Sequence, residues 1–155
     1  MRSRGPAGHP TIPTVDIAYR NDCAGIDWRE LAAVIERAPL GKRDPAILQV
    51  TFGRSYAVCF ATEGGRLVGA GRAISDGAVQ SAIYDVVVLP ECQGRGIGAE
   101  IVRRLLARLP TKAVLLVSAP GKEEFYRKLG FKRLRTAMLR RDDPQPWIDA
   151  GYLEP

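Results

Sequence analysis

The stretch "LPECQGRGIGAEIVRRLL", residues 89–106, decides the fold. Three glycines stand at alternate positions, Gly94, Gly96 and Gly98, and a regular apolar pattern starts directly after them. A helix leaves its first four backbone N–H groups without partners and carries partial positive charge at that end. Glycines let the chain turn tightly and remove the side chains that would keep an anion away from those N–H groups. The stretch therefore predicts a phosphate-binding turn at the start of a helix.

The spacing of these glycines differs from two common nucleotide-binding motifs. The dinucleotide-binding pattern G-x-G-x-x-G needs a glycine at position 99 or 101, where Ala99 and Ile101 stand. The Lys-Ser/Thr pair of a P-loop is absent after the glycines. A Rossmann dinucleotide site and a Walker-type NTPase are therefore disfavoured, and a plain strand-to-helix connector is the remaining alternative.

The residues around the glycine turn predict a β-α-β crossover. Residues 82–89 have the pattern of a strand that ends at Pro90, and residues 112–119 form a nearly continuous apolar run, as in a central strand covered on both faces. Between them, the 3.6-residue period predicts a helix that stops at Pro110. Its apolar face consists of Ile97, Ile101, Val102, Leu105, Leu106 and Leu109.

The remaining elements complete a mixed α/β (α+β) fold, in which a mostly antiparallel central sheet contains one parallel β-α-β unit. A helix starts after Asp27, and a second starts at Asp44-Pro45, because each aspartate is a suitable N-cap. The other predicted elements are a strand at 14–19, a hairpin at 56–74 turning at Glu63-Gly64-Gly65, a helix at 122–129, and one last strand or pair of strands at 131–141.

Length and composition limit the number of domains that the chain can form. With 155 residues and 46% apolar content, we expect a single domain at 14–141. Residues 1–13, rich in proline and glycine, are predicted to be a flexible arm. Residues 142–155 are polar and interrupted by prolines, yet carry Trp147 and Tyr152, so we expect this extension to pack on the domain or on a partner subunit.

Several classes of function are disfavoured by composition. The cysteines, Cys23, Cys59 and Cys92, form no C-x-x-C pair, so neither a disulfide framework nor a metal site is expected and a reducing cytoplasm fits. No apolar run approaches the roughly 18 residues of a membrane span. The net charge of +6 is compatible with an anionic partner, or it serves only to keep the protein in solution. The arginines of the long helix lack the interleaved aromatic residues that are expected in sequence-specific binding of nucleic acid.

Two motifs in the right order resemble landmarks of one family. "DVVVLPECQGRGIGAEIV" resembles the central motif of the GCN5-related N-acetyltransferase (GNAT) superfamily, whose pattern Gln/Arg-x-x-Gly-x-Gly/Ala is met by Gln93, Gly96 and Gly98. "EEFYRKLGF", residues 123–131, is similar to its second landmark, and the likeness covers roughly residues 56–141. More narrowly, "GAGRAISDGAVQSAIYDVVV" resembles the plant and cyanobacterial serotonin N-acetyltransferase-like group, and "YDVVVLPECQG" is similar to glucosamine-phosphate N-acetyltransferases.

The resemblance implies a GNAT fold that binds acetyl-coenzyme A where the two central parallel strands splay apart. The notch between Val88 and Val117 would receive the cofactor, and the strand backbone would bond its pantetheine arm. The helix start would hold its pyrophosphate, with side-chain donors at the rim. The cofactor-binding residues implied are Val86, Val87, Val88, Gln93, Gly94, Arg95, Gly96, Ile97, Gly98, Ala99 and Tyr126.

Two residues are candidates for the chemistry of acetyl transfer. An alkylammonium keeps its proton up to a pKa of about 10, so a group must accept that proton or hold the ammonium. Asp85 is the leading candidate for this role, because strands disfavour aspartate. Ser118 and water are the alternatives, since relatives often carry a polar residue just after this strand, where the chain has Ala119. By resemblance, the Tyr126 hydroxyl protonates the departing thiolate.

The predicted function is therefore acetyl transfer from acetyl-coenzyme A to a primary amine of a small molecule. Trp28, Phe52 and Tyr56 favour an arylalkylamine if they line the acceptor pocket, although packing in the core is their alternative fate. Acetylation of protein lysines or N-termini is a second hypothesis. A non-catalytic acyl-coenzyme-A-binding regulatory module is a third. The family resemblance also allows a homodimer, because dimers are common in this family.

Overall fold

The computed structural model describes residues 15–38 and 40–155. The predicted arm at 1–13 lies outside the described residues. The elements are β1 (Ile17–Arg20), α1 (Trp28–Arg37), α2 (Pro45–Gly53), β2 (Ala57–Glu63), β3 (Arg66–Ser75), β4 (Gln80–Val88), a 3-10 turn (Pro90–Cys92), α3 (Ile97–Arg108), β5 (Ala113–Leu116), α4 (Glu123–Arg127) and α5 (Gln145–Asp149).

One five-stranded sheet in the order β1-β2-β3-β4-β5 organises the domain. Its first four strands are antiparallel neighbours, and β5 runs parallel to β4 after the crossover through α3. The predicted mixed sheet with one parallel β-α-β unit is confirmed. None of the helices in the described chain is long and apolar enough to cross a membrane.

Local sequence signals account for where the first helices begin. The Asp27 carboxylate accepts hydrogen bonds from the backbone N–H groups of Arg29 and Glu30, and Asp44 caps α2 by accepting from Ala46 N–H at 2.7 Å. Each cap satisfies donors that the first helical turn leaves unpaired. The predicted β2–β3 turn also forms, with its two glycines in the left-handed region.

The sheet is covered on both faces, and each face has its own packing. On one face, Phe52 of α2 stacks on Phe60 of β2 with ring centroids 5.4 Å apart, and Trp28 packs on both rings. On the other face lies α3, whose Ile101 and Leu105 are fully buried. We call these the α2 face and the α3 face of the sheet.

Two sequence predictions were wrong near the end of the chain. Residues 131–141 form no strand, because their apolar residues do not alternate, and those after Phe131 are exposed, with Met138 95% exposed. The strand predicted at 112–119 spans only Ala113–Leu116 and is not covered on both faces, since Leu115 is 50% exposed. Within the described chain, β5 is an edge strand that pairs with β4 alone.

A cluster of three charged side chains fastens α1 to the sheet. Both guanidinium amino groups of Arg37 donate to the Glu91 carboxylate, at 3.0 and 2.9 Å, and Arg66 of β3 donates to the same carboxylate at 2.8 Å. The pKa of Glu91 is lowered to about 2, chiefly by a hydrogen bond from its own backbone and then by Arg66 and Arg37. The cluster therefore ties together three separate parts of the chain.

The Glu91 cluster predicts a loss of stability in acid. A carboxyl whose pKa is lower in the folded state contributes stability above its unfolded pKa, ordinarily near 4.5, and loses it as the pH falls through about 2. We expect Glu91→Gln to melt at a lower temperature than the wild type at pH 6, with the difference shrinking from pH 4.5 toward pH 2. A difference that stays constant over this range contradicts the assignment.

The approach of α3 to the sheet predicts a second effect on stability. A Cβ added at Gly71 would lie 2.8 Å from Ile101 Cγ2 and 3.1 Å from Leu105 Cδ1, so a larger side chain must displace α3. We expect Gly71→Val to lower the free energy of unfolding by about 1–3 kcal/mol, measured by denaturant titration. The control is Gly53→Val, since nothing lies within 4 Å of that Cβ position. Equal stability of the two variants would contradict this packing.

Candidate active site

A bulge in β4 interrupts the regular alternation of its side chains. Val87 pairs with Ala70 and Tyr84 pairs with Arg72, so two residues of β4, Asp85 and Val86, stand opposite the single residue between them on β3. Asp85 has a φ of +53° and is the one non-glycine residue with positive φ in the described chain. This is the arrangement of a β-bulge, which re-aims side chains and is frequent next to active sites.

The bulge turns Asp85 toward the α2 face. Arg72 and Tyr84 are cross-strand partners and share that face, and in an unbroken strand the next residue would point the opposite way. Instead, the Asp85 carboxylate accepts a hydrogen bond from Arg72 Nε at 2.5 Å. Val86, the second bulge residue, faces α3, where its Cγ2 lies 3.5 Å from the Cβ position of Gly71.

Arg72 is held between aromatic rings while it binds Asp85. Its guanidinium carbon lies 5.2 Å from the Tyr84 ring centroid and 6.0 Å from that of Phe52. The side chains of Arg72 and Asp85 are 17% and 16% exposed. The second carboxylate oxygen of Asp85 accepts no hydrogen bond from residues 15–38 or 40–155. The pair therefore keeps one acceptor oxygen available at a place that solvent reaches.

The two parallel strands part next to this pair. β4 and β5 are paired from Gln80–Ala113 to Ile83–Leu116, but β4 continues to Val88 with pairing to β3 alone. The opening agrees with the notch predicted between Val88 and Val117. The backbone of Val86 to Val88 thus has an edge beside which an extended group can lie, as a strand does in β-augmentation.

The glycine turn opens onto the same region at the start of α3. Gly94 and Gly96 have φ values of +76° and +80°, and nothing lies within 4 Å of their Cβ positions. The backbone N–H groups of residues 94–99 donate no hydrogen bond within the described residues. A turn with open space above unpaired donors fits the pyrophosphate of a coenzyme A molecule.

Gly98, by contrast, lies against neighbouring side chains. Its Cβ position is 3.4 Å from the Phe125 ring and 3.5 Å from Val88 Cγ2, so a methyl group here would make ordinary van der Waals contact with both. The side chains predicted as donors at the rim are engaged elsewhere, since Gln93 Nε2 donates to the Val88 carbonyl at 3.1 Å and Arg95 donates to Glu63 at 2.7 Å. The backbone donors of the turn are therefore better placed than its side chains to receive an anion.

Tyr126 lies on α4, beside the ring that borders the notch. Phe125 approaches Gly98 and Val88, and Tyr126 packs edge-on against Phe125 and Phe131 at centroid distances of 4.9 and 5.9 Å. Burial, and to a smaller extent the charge of Tyr152, raises the pKa of Tyr126. A hydroxyl with a raised pKa keeps its proton at neutral pH and can act as a donor.

The C-terminal segment lies beside the loop that follows β5. The Cβ position of Gly151 is 3.7 Å from Pro120 Cγ, and the rings of Trp147 and Tyr152 are tilted against each other at 4.7 Å. Ser118 and Ala119, which precede Pro120, belong to the same irregular loop. The structure therefore brings part of residues 142–155 to the side of the site where Tyr126 lies.

The predicted aromatic wall is divided between two environments. Phe52 is buried in the core with Trp28, whereas Tyr56 is 48% exposed. Register places Tyr56 on the α2 face together with other exposed apolar side chains, which we name the sheet patch: Tyr56, Ile74, Tyr84 and Leu115. Three of these residues, and also Arg72, are not among those predicted from the sequence. Strand alternation was the available signal for the patch, whereas the pairing of Arg72 depends on the bulge.

No three side chains of histidine, cysteine, aspartate or glutamate come together as a metal cluster in the described parts of the chain. The groups around the opening in the sheet are a carboxylate and a row of backbone donors, and Tyr126 packs on the ring of Phe125 that borders it.

Comparison with known proteins agrees with this geometry. A family model described as an acetyltransferase (GNAT) domain matches residues 54–133, which include the bulge, the glycine turn and α4. The match covers about half of the chain and extends from the end of α2 to two residues beyond Phe131.

Two curated plant proteins are similar to the chain over most of its length. Serotonin N-acetyltransferase 2, chloroplastic, from Oryza sativa subsp. japonica is 35% identical over 121 residues, covering 74% of this chain and 60% of that protein. A protein from Glycine max named histone acetyltransferase TAP1 is 31% identical over 121 residues, covering 69% of this chain and 52% of that protein. The chain thus spans little more than half the length of these relatives.

A solved structure shows the same fold. A GNAT family acetyltransferase from Streptococcus pneumoniae superimposes with a TM-score of 0.71 at 22% identity, covering 82% of this chain and 98% of that chain. The family model, the similarity to the rice protein and the splayed strands with their glycine turn lead to one conclusion: this chain belongs to the GNAT family of acetyltransferases.

Proposed function

We propose that the protein transfers an acetyl group from acetyl-coenzyme A to the primary amine of a small molecule, which approaches Asp85 from the α2 face. The observation that carries this proposal is the β4 bulge. It places a carboxylate with one available oxygen at the opening between β4 and β5, on the face of the sheet opposite α3. A carboxylate in a partly desolvated opening is a suitable partner for an ammonium group.

Acetyl-coenzyme A, the acetyl donor of GNAT domains, supplies an acetyl thioester. Its pyrophosphate fits the open turn at Gly94 and Gly96, where backbone N–H groups lack partners in the described chain. The edge of β4 from Val86 to Val88 is suited to binding the pantetheine arm by backbone hydrogen bonds. These two parts of the chain orient the thioester toward the notch.

In the proposed reaction, Asp85 holds the ammonium through its available oxygen. Because its other oxygen is bound to Arg72, we assign Asp85 to holding charge, and water takes the proton from the nitrogen. The nitrogen then forms a bond to the acetyl carbon, and the carbon–sulfur bond breaks. Tyr126 donates its hydroxyl proton to the departing thiolate and regains a proton from the acetylated nitrogen through water.

The sheet patch supports an acceptor with an apolar body. Tyr84, a member of the patch, is the cross-strand partner of Arg72, and it is 41% exposed. An amine that binds Asp85 therefore has an aromatic surface within reach of its remaining atoms. The name of the rice relative, a serotonin N-acetyltransferase, agrees with an arylalkylamine acceptor, and we propose this class for the chain.

Acetylation of protein lysines is the second candidate. The sheet patch extends from Tyr56, next to β2, to Leu115 on β5, and neighbouring strands lie about 4.8 Å apart. A peptide can occupy more of this width than a small amine does. The soybean relative named as a histone acetyltransferase agrees with this reading.

The proposed role of Tyr126 predicts a selective loss of turnover. We expect Tyr126→Phe to lower kcat by about 10²-fold, because general acid catalysis contributes on this scale, while the Kd for acetyl-coenzyme A stays within about twofold. The measurement is release of coenzyme A thiol with a panel of arylalkylamines, polyamines, amino sugars and lysine peptides. The amine class that stimulates release also decides between the two candidate functions.

The control for this measurement is Tyr19→Phe. Tyr19 lies on β1, at the edge of the sheet opposite β5, and its ring faces the guanidinium of Arg104. Its hydroxyl should therefore not affect turnover. Equal losses of turnover and cofactor affinity in Tyr126→Phe would make this tyrosine structural. Thiol release by no amine, with intact acetyl-coenzyme A binding, would favour the non-catalytic module.

The proposed pyrophosphate site predicts a selective loss of cofactor binding. Gly96→Glu places an anionic side chain in the space above the N–H donors, so we expect the Kd for acetyl-coenzyme A to rise by at least about 10²-fold, measured by calorimetry. Gly77→Glu is the matched control, because Gly77 also has positive φ and open space at its Cβ position but lies in the β3–β4 turn. Binding that survives in Gly96→Glu means that the phosphates lie elsewhere.

A further inference from the structure

We infer that Arg72 is a positioning residue for the reaction: it holds the Asp85 carboxylate on the α2 face in the orientation that receives the acceptor amine. The inference rests on the proposed function, and it adds a residue to which no role has been given. It follows from the conformation of Asp85, from the contacts of Arg72 and from the distribution of hydrogen bonds between the two side chains.

In the described chain, one partner holds the Asp85 carboxylate. The φ of +53° is uncommon for a residue with a Cβ, although aspartate adopts it more readily than most, and here it belongs to the bulge. The hydrogen bond from Arg72 Nε is the contact that the described residues provide to this carboxylate. Without it, the carboxylate would be free to leave the α2 face for the solvent of the notch.

Aromatic rings contact the Arg72 side chain in addition to its hydrogen bond with Asp85. Its guanidinium lies between Tyr84 of β4 and Phe52 of α2, and Phe52 is only 1% exposed. A planar guanidinium can stack on aromatic rings while it donates in its own plane from Nε, whereas a lysine ammonium acts as a point charge and has no planar group to stack. Arg72, which lies against the buried ring of Phe52, therefore determines the position of the Asp85 carboxylate.

The hydrogen bond leaves the site open toward the substrate. Arg72 Nε uses Oδ2 of Asp85, so Oδ1 remains available to an ammonium group. Glu63 also pairs with an arginine, Arg95, but at the end of β2, and Asp76 accepts from three backbone N–H groups in the β3–β4 turn. Asp85 differs from both in its place, just beyond the end of the β4–β5 pairing.

A set of four variants tests this inference: Arg72→Gln, Asp85→Asn, the double variant and Arg72→Lys. We expect Arg72→Gln to lower kcat/KM for the amine by about 10²-fold, since a displacement of about 1 Å can have this effect, with the Kd for acetyl-coenzyme A within about twofold. If Arg72 acts through Asp85, then Arg72→Gln changes nothing further in the Asp85→Asn background. Additive losses, or an Arg72→Lys variant as active as the wild type, would overturn the inference.

Arg104→Gln is the matched control for a merely structural effect. Arg104 also stacks on a tyrosine, with its guanidinium carbon 4.5 Å from the Tyr19 centroid, and donates to the Glu100 carboxylate at 2.7 Å. It lies on α3, away from the opening. We expect its loss to change the melting temperature without changing kcat/KM for the amine. A fall in kcat/KM equal to the one in Arg72→Gln would make the effect of Arg72 structural.

A crystal structure of Arg72→Gln separates this inference from the proposed function. If the wild type acetylates no amine, the proposed function fails, but the position of Asp85 in the variant still reports on Arg72. A carboxylate that has left the α2 face supports the positioning role. A carboxylate in its original position overturns it, whatever the activity of the wild type.

Discussion

A single extra residue in β4 is the constraint on which the rest of the site depends. With two residues opposite Gly71, the strand before the bulge and the strand after it differ in phase, so Tyr84 and Val87 both face α2 although three positions separate them. The pairing with β5 ends just before this point, and Asp85 is turned into the resulting opening. An unbroken β4 would bury the carboxylate against α3, where Ile101 and Leu105 leave no polar partner.

Glycines serve two opposite physical purposes around this bulge. Gly69 and Gly71 on β3 stand where a Cβ would lie 2.9 Å from the Val87 carbonyl oxygen and 2.8 Å from Ile101 Cγ2, so they let α3 lie close to the sheet. Gly94 and Gly96 stand where a Cβ would meet nothing, and their value is in left-handed backbone and unpaired N–H groups. The same residue type therefore fixes the position of α3 and keeps the start of α3 open.

Signals from residues that are near in sequence predicted most of the fold. They failed where residues that are distant in sequence determine the structure. The caps at Asp27 and Asp44, the apolar face of α3 and the start of α3 after the glycines all depend on near neighbours, and the sequence predicts each of them correctly. The alternation of residues 82–88 gives no sign of a bulge, so the sequence indicates Asp85 but not its partner. The predictions for β5 and for residues 131–141 were wrong because apolar residues in these segments are exposed.

The Arg72–Asp85 pair bears on how the proposed cationic amine can approach a protein of net charge +6. Burying a lone carboxylate would be costly, and a lone guanidinium would repel an ammonium. Together they add no net charge, and the guanidinium lies near the rings of Tyr84 and Phe52 while Oδ1 of Asp85 accepts no hydrogen bond from the described residues. In the proposed function, the ammonium approaches this oxygen. Selection of the proposed acceptor would then depend on the fit of its body to the sheet patch rather than on the overall charge of the protein.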